Sequence, residues 1–178
     1  MDIAHIRAAA DRLRGRARRT PLLNSPALDE LAGRRVFVKP ECLQHTGSFK
    51  YRGATSALTA MPDEVRRKGV LAYSSGNHAQ GVARAAREFG VMAVIVMPMD
   101  APALKLANTR ALGAEVVLYD RANQESREAL GEELAQNRGL TLIKPFDDPQ
   151  VIAGQGTVGL EIAEDANAMA LSEAEVLV

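Results

Sequence analysis

The sequence predicts an α/β fold, a parallel sheet with helices on both faces. Short apolar runs occur at residues 70–73, 93–97, 115–119 and 140–143, with starts 23, 22 and 25 residues apart. Each of the first three is followed by a helical pattern, over 77–89, 102–112 and 125–137. Strands alternating with helices at this spacing give a parallel sheet wrapped by right-handed crossovers. The units share no sequence signature, so the spacing is not that of a solenoid.

The remaining elements flank this repeat. Asp2 is placed to cap a helix running to about Gly15, with Ile3, Ile6, Ala10 and Leu13 on one face. Thr20-Pro21 starts an extended segment, and 36–38 reads as a short strand ended by Pro40. A helix is expected over 52–61. Asp147-Asp148-Pro149 caps a further helix, whose apolar positions Val151, Ile152, Val158, Ile162 and Ala163 suit a buried face. Val176-Leu177-Val178 reads as the start of another strand. A parallel α/β protein rarely stops there, so the expectation is a portion of a longer protein.

Composition narrows the function classes. The chain has 178 residues, 47% of them hydrophobic, which is enough for a real core. Lys+Arg and Asp+Glu are both 22, so nothing asks for nucleic acid or an anionic membrane as partner. No run of about 18 apolar residues is present, and the N-terminus lacks a secretory apolar stretch. Six arginines between Arg7 and Arg19 mimic a transit peptide, but Asp2 and Asp11 argue for a surface helix and linker. The single cysteine, Cys42, excludes an internal disulfide framework and a cysteine zinc cluster. A reducing, cytoplasmic location fits.

Ligands of open parallel sheets sit beyond the carboxyl ends of the strands, against helix N-termini. The best-formed loop there is Ser74-Ser75-Gly76-Asn77-His78. Gly76 allows close backbone approach, and free N–H groups at a helix start favour a carboxylate or phosphate. Ser and Asn also make plain capping turns, and local features leave both readings open. Ser75 and His78 are close, but no Gly-x-Ser-x-Gly elbow supports a serine hydrolase. The three histidines, His5, His45 and His78, show no metal-ligand spacing. Residues 154–159 satisfy Gly-x-Gly-x-x-Gly, yet no strand precedes them, so helix packing outweighs dinucleotide binding.

Among five lysines, Lys50 stands apart. Phe49 and Tyr51 flank it, glycine and polar residues precede it, and a helix follows. Desolvation and the nearby Arg52 would destabilise its ammonium, which makes an amine nucleophilic enough for Schiff-base chemistry. A lysine snorkelling from a helix start has the same local sequence.

Four segments occur in order: Thr46-Gly47-Ser48-Phe49-Lys50-Tyr51-Arg52-Gly53-Ala54, Ser74-Ser75-Gly76-Asn77-His78-Ala79-Gln80-Gly81, Pro145-Phe146-Asp147-Asp148-Pro149 and Val151-Ile152-Ala153-Gly154-Gln155-Gly156-Thr157. Arg19-Thr20-Pro21-Leu22 and Val96-Met97-Pro98 fit with them. Through these motifs nearly the whole chain resembles the N-terminal portion of the threonine/serine dehydratase and serine racemase group. These are fold-type II, tryptophan synthase β-like, pyridoxal phosphate (PLP) enzymes.

The resemblance implies roles. Lys50 would hold PLP through a Schiff base and later shuttle protons. Phe49 would pack near the cofactor ring, and Asn77 would hydrogen-bond its 3′ oxygen. Ser74, Ser75, Gly76, Asn77 and His78 would hold the carboxylate of a small amino-acid substrate. Ser75 matches a racemase acid/base on the face opposite the lysine, where many threonine dehydratases have alanine. It therefore leaves serine racemase or hydroxyaspartate dehydratase open. Phe146-Asp147-Asp148-Pro149 looks like the dehydratases. Arg127 matches a racemase arginine near the substrate, although a plain surface arginine explains it as well.

The implied activity is a deaminating β-elimination giving a 2-oxo acid and ammonia. The implied domains are a small mobile one over 48–147 and a partial, incomplete large one over 1–47 and 148–178. The family's glycine-rich phosphate loop lies beyond a strand like 175–178. The expectation is that 178 residues alone bind PLP poorly and are catalytically weak or inactive, and that the full-length form is a homo-oligomer. A non-catalytic amino-acid or protein-binding module is the alternative of another class.

Overall fold

The computed structural model describes residues 1–123, 126–171 and 173–177. Helix α1 (Ile3–Leu13) opens on Asp2, whose carboxylate accepts from the His5 amide at 3.1 Å. This is the expected cap. Strands β1 (Leu23–Asn24) and β2 (Phe37–Val38) pair antiparallel around α2 (Pro26–Ala32). Two-residue strands carry no periodicity, so only β2 was legible in the sequence. Helix α2 follows ordinary punctuation, with Pro26 in its first turn and Gly33 left-handed at φ 64° beyond its end.

Next come α3 (Lys50–Ala60) and the single-turn α4 (Asp63–Arg66). The parallel sheet is built from β3 (Val70–Tyr73), β4 (Ala93–Pro98), β5 (Glu115–Tyr119) and β6 (Thr141–Leu142). Its crossover helices are α5 (Asn77–Phe89), α6 (Ala103–Ala111) and α7 (Arg127–Arg138), and α8 (Pro149–Ala168) follows. Glu125, the expected first residue of the third crossover helix, lies outside the described residues. The described helix is capped by Ser126, whose hydroxyl accepts from the Ala129 amide.

Strand order is β5-β4-β3-β6, with every pair parallel. Val70 lies opposite both Ala93 and Thr141. The chain steps from β3 to β4 to β5, then returns past β3 to lay down β6. One hand for all three crossovers then requires the third helix on the opposite face, and α7 is on it. Val70, Ala72, Ala93, Ile95 and Met97 pack with α3 and α5, whereas Leu71, Tyr73, Val94 and Val96 pack with Ala135 of α7. The strands are buried on both faces, as a parallel sheet between helices requires.

Helix α3 is wrapped by α1, α5 and α8, and residues 51–58 are all buried. Its contact with α8 is close. A Cβ on Gly154 would stand 2.5 Å from Ser56 Cβ and 2.6 Å from Arg52 O. One on Gly53 would stand 2.9 Å from Val151 O. The Gly-x-Gly-x-x-Gly run therefore lies within a helix, where Gly154 serves helix packing.

Two expectations are corrected. The buried face of α8 is made by Val151, Ala153, Gly154 and Thr157, while Ile152 and Ala163 are exposed and Val158 and Ile162 half-buried. Small residues set the close contact, and most of the long aliphatics lie off it. Residues 174–177 form no strand, and Val178 lies outside the described residues. A strand persists only when paired, and none of the described strands pairs with this segment. Among the described residues no helix is long and apolar enough to cross a membrane.

Two glycines of α8 should respond oppositely to alanine. Gly154→Ala forces α3 and α8 apart and should cost about 1–3 kcal/mol. Gly159 faces open space, so Gly159→Ala should stabilise by about 0.5–1 kcal/mol through its helix preference. Urea denaturation of both variants checks the pair.

Candidate active site

The strand order reverses between β3 and β6, and ligands of open α/β sheets sit beyond the carboxyl ends of the strands at such a point. Three segments converge on it. Lys50 Nζ donates to the Pro145 carbonyl at 2.9 Å, beyond β6. The buried His78 ring, in the first turn of α5, bonds through Nε2 to the Ile143 carbonyl at 3.0 Å. Helix α5 in turn lies on the backbone of Lys50. A Cβ on Gly81 would sit 3.1 Å from Lys50 C, Lys50 O and Tyr51 N.

Lys50 begins α3, and the Ser48 hydroxyl accepts from its amide at 3.2 Å. The chain enters through two left-handed residues, Thr46 at φ 60° and Gly47 at φ 69°. Glycine adopts this freely, whereas threonine there costs roughly 1–2 kcal/mol. The Lys50 ammonium lies 5.1 Å from the centre of the Phe49 ring, and Phe49 is itself exposed. Burial lowers the Lys50 pKa.

The expected like-charge contribution of Arg52 is corrected. Arg52 points away and is 1% exposed. It donates to both oxygens of Glu41 at 2.8 Å and to Glu161 at 2.6 and 3.0 Å. Burial opposes its charge, but the bonds to Glu41 and Glu161 outweigh this and raise its pKa. Lys39 joins the network at 2.7 Å from Glu161. Its positive charge is thus answered locally and does not act on Lys50. No sequence spacing marks Glu41 or Glu161 as its partners.

The loop after β3 has the expected form. The Ser74 amide bonds to Val96 O at 3.0 Å, and the Ser74 hydroxyl accepts from the Gly76 amide at 3.2 Å. Ser75 and Asn77 are exposed. The amides of Asn77, His78 and Ala79 fall in the first turn, where a helix supplies no backbone acceptor. Such a turn binds an anion. The His78 ring is committed elsewhere, so only its backbone faces this task. Its bond to a carbonyl puts the proton on Nε2 and leaves the buried Nδ1 without a partner. Burial pushes the His78 pKa down to about 4, so the ring is neutral at physiological pH. It makes no hydrogen bond to Ser75, which removes the basis of a serine–histidine hydrolase.

Arg127 begins α7 on the other face of the sheet. Its guanidinium pairs with Glu128 at 2.6 Å and lies 5.6 Å from the centre of the Tyr73 ring, next to Ser74. It flanks the loop, but its hydrogen bond goes to Glu128.

The sequence model for the pyridoxal-phosphate dependent enzyme family matches residues 13–175. An L-threo-3-hydroxyaspartate ammonia-lyase of a Pseudomonas species is 54% identical over 156 residues, which are 88% of this chain and 49% of the relative. An L-threonine ammonia-lyase of Thermotoga maritima is 46% identical over 173 residues, which are 97% of this chain and 42% of the relative. Maize serine racemase superposes with a TM-score of 0.89 at 42% identity, covering 93% of this chain and 50% of that one. The chain thus spans about half the length of the relatives it matches.

The buried His78 makes stability depend on pH. The unfolded chain takes up the proton near pH ~6.5, whereas the folded chain resists it down to about 4. This contribution is complete above ~6.5 and falls by about 3 kcal/mol as the pH drops through that window. His45, also lowered by burial, acts in the same direction. Urea midpoints measured between these pH values should fall steeply, and His78→Gln should flatten most of the slope.

Proposed function

The chain belongs to the pyridoxal-phosphate dependent enzyme family, and we propose that it carries the lysine half of a deaminating dehydratase for threonine- or serine-type hydroxy amino acids. One observation carries this reading: a burial-weakened lysine amine and the helix start of α5 are both hydrogen-bonded to the segment 143–145 after β6. The residues fit the family cofactor. The Lys50 ammonium has one hydrogen bond, to a carbonyl, and the exposed Phe49 ring lies beside it. Asn77 is exposed at the start of α5. Lys50 would carry pyridoxal phosphate on Nζ, Phe49 would lie near its ring, and Asn77 would bond its phenolic oxygen.

When bound, pyridoxal phosphate supplies the electron sink that makes the substrate Cα proton removable. The chain supplies the rest. The loop 74–78 holds the substrate carboxylate on the amides of the first helical turn. Lys50 Nζ takes the Cα proton, which its lowered pKa favours at neutral pH. Loss of the β-hydroxyl as water, then hydrolysis, gives the 2-oxo acid and ammonia. In this reading 48–147 is a small mobile domain, and 1–47 with 148–178 belongs to a larger one.

Ser75 favours a second reading. Its exposed hydroxyl in the carboxylate loop is suited to move a proton, as racemisation or hydroxyaspartate dehydration requires. Incubation of the full-length form with PLP and L-threonine, L-serine or L-threo-3-hydroxyaspartate should give 2-oxo acid and ammonia from at least one, and none from L-alanine. Lys50→Ala should lower the rate by about 10³-fold or more. Ser75→Ala should abolish any racemisation and leave elimination of threonine. No product from any hydroxy amino acid, with Lys50 loaded, would favour a binding unit instead.

A further inference from the structure

We propose that Lys105 is a substrate-binding residue, its ammonium holding the carboxylate at the start of α5 from the α6 side. This rests on the reading of loop 74–78 as the carboxylate site. Lys105 is the third residue of α6. Its Nζ lies 3.5 Å from where a side chain on Gly76 would place its Cβ. The missing side chain at the helix cap thus leaves room for a lysine from the neighbouring crossover. Parallel topology explains the meeting: β3 and β4 are adjacent, so the helices after them begin side by side at the same sheet end.

Lys105 is half-buried, and among the described residues its ammonium has neither an ion pair nor a hydrogen bond. The other two half-buried lysines are answered, Lys39 by Glu161 and Lys50 by Pro145 O. Lys105 carries its positive charge with no such partner among the described residues. Placed beside unpaired helix amides, it gives an arriving carboxylate a charge-assisted bond in addition to neutral ones. No acidic side chain pairs with Lys105, so nothing in the described protein competes with that anion.

The test is malonate binding, followed through the amide NMR shifts of Asn77 and His78 in the wild-type chain and three variants. Lys105→Gln should weaken malonate by about tenfold, and Lys105→Arg should restore most of it. The exposed Lys68→Gln should change nothing, which separates a local bond from net charge. Equal affinity in wild type and Lys105→Gln would overturn the role of Lys105 and leave the carboxylate loop standing. Wild-type amides that do not respond to malonate would overturn the loop reading and the role of Lys105 with it.

Discussion

Between β3 and β6 the chain reverses the direction in which it adds strands, and the loop after β3 and the segment after β6 meet at one end of the sheet. The position of every candidate functional group follows from this. The loop after β3 becomes the start of α5, with its unpaired amides. The segment after β6 supplies the carbonyls of Ile143 and Pro145. His78 ties the first to the second, and Lys50 reaches across to the second from α3.

Lys50 belongs to a helix outside the sheet, so its position depends on how α3 is held. Glycine does much of this. Gly81 lets α5 rest on the Lys50 backbone, and Gly53 with Gly154 lets α8 close on the other side. The buried Arg52 then joins α3 to Glu41 and to Glu161 of α8. Removing one partner of such a group costs about 3–5 kcal/mol, because the remaining charge is left buried. The same helix therefore presents a weakly solvated amine to the segment after β6 and a fully compensated guanidinium to the interior. Neighbours in sequence, Lys50 and Arg52 act in separate electrostatic environments.

The repeat of apolar runs made the parallel sheet legible, because a strand buried on both faces must be apolar throughout. The bounds of β3, β5 and α5 follow directly from it. The loop 74–78 was legible as a strand-to-helix turn, with an anion site and a plain capping turn both open. Three things were not. The hairpin of β1 and β2 is too short for any period. The partners of Arg52 lie 11 and 109 residues away, and no local rule links them. Lys105 falls within the helical pattern over 102–112, and only strand order brings α6 beside Gly76. The motif resemblance named roles for Lys50, Phe49 and Asn77; the structure supplies the physical setting in which those residue types can act.

Burial and a bond to the Pro145 carbonyl set the Lys50 amine apart from the other four lysines. Borohydride reduction in the presence of pyridoxal phosphate, followed by peptide mapping, tests it most directly. The account predicts one dominant label, on Lys50, lost in Lys50→Ala without transfer to another site. Comparable labelling of Lys39, Lys68, Lys105 and Lys144, or an unlabelled Lys50, would contradict it.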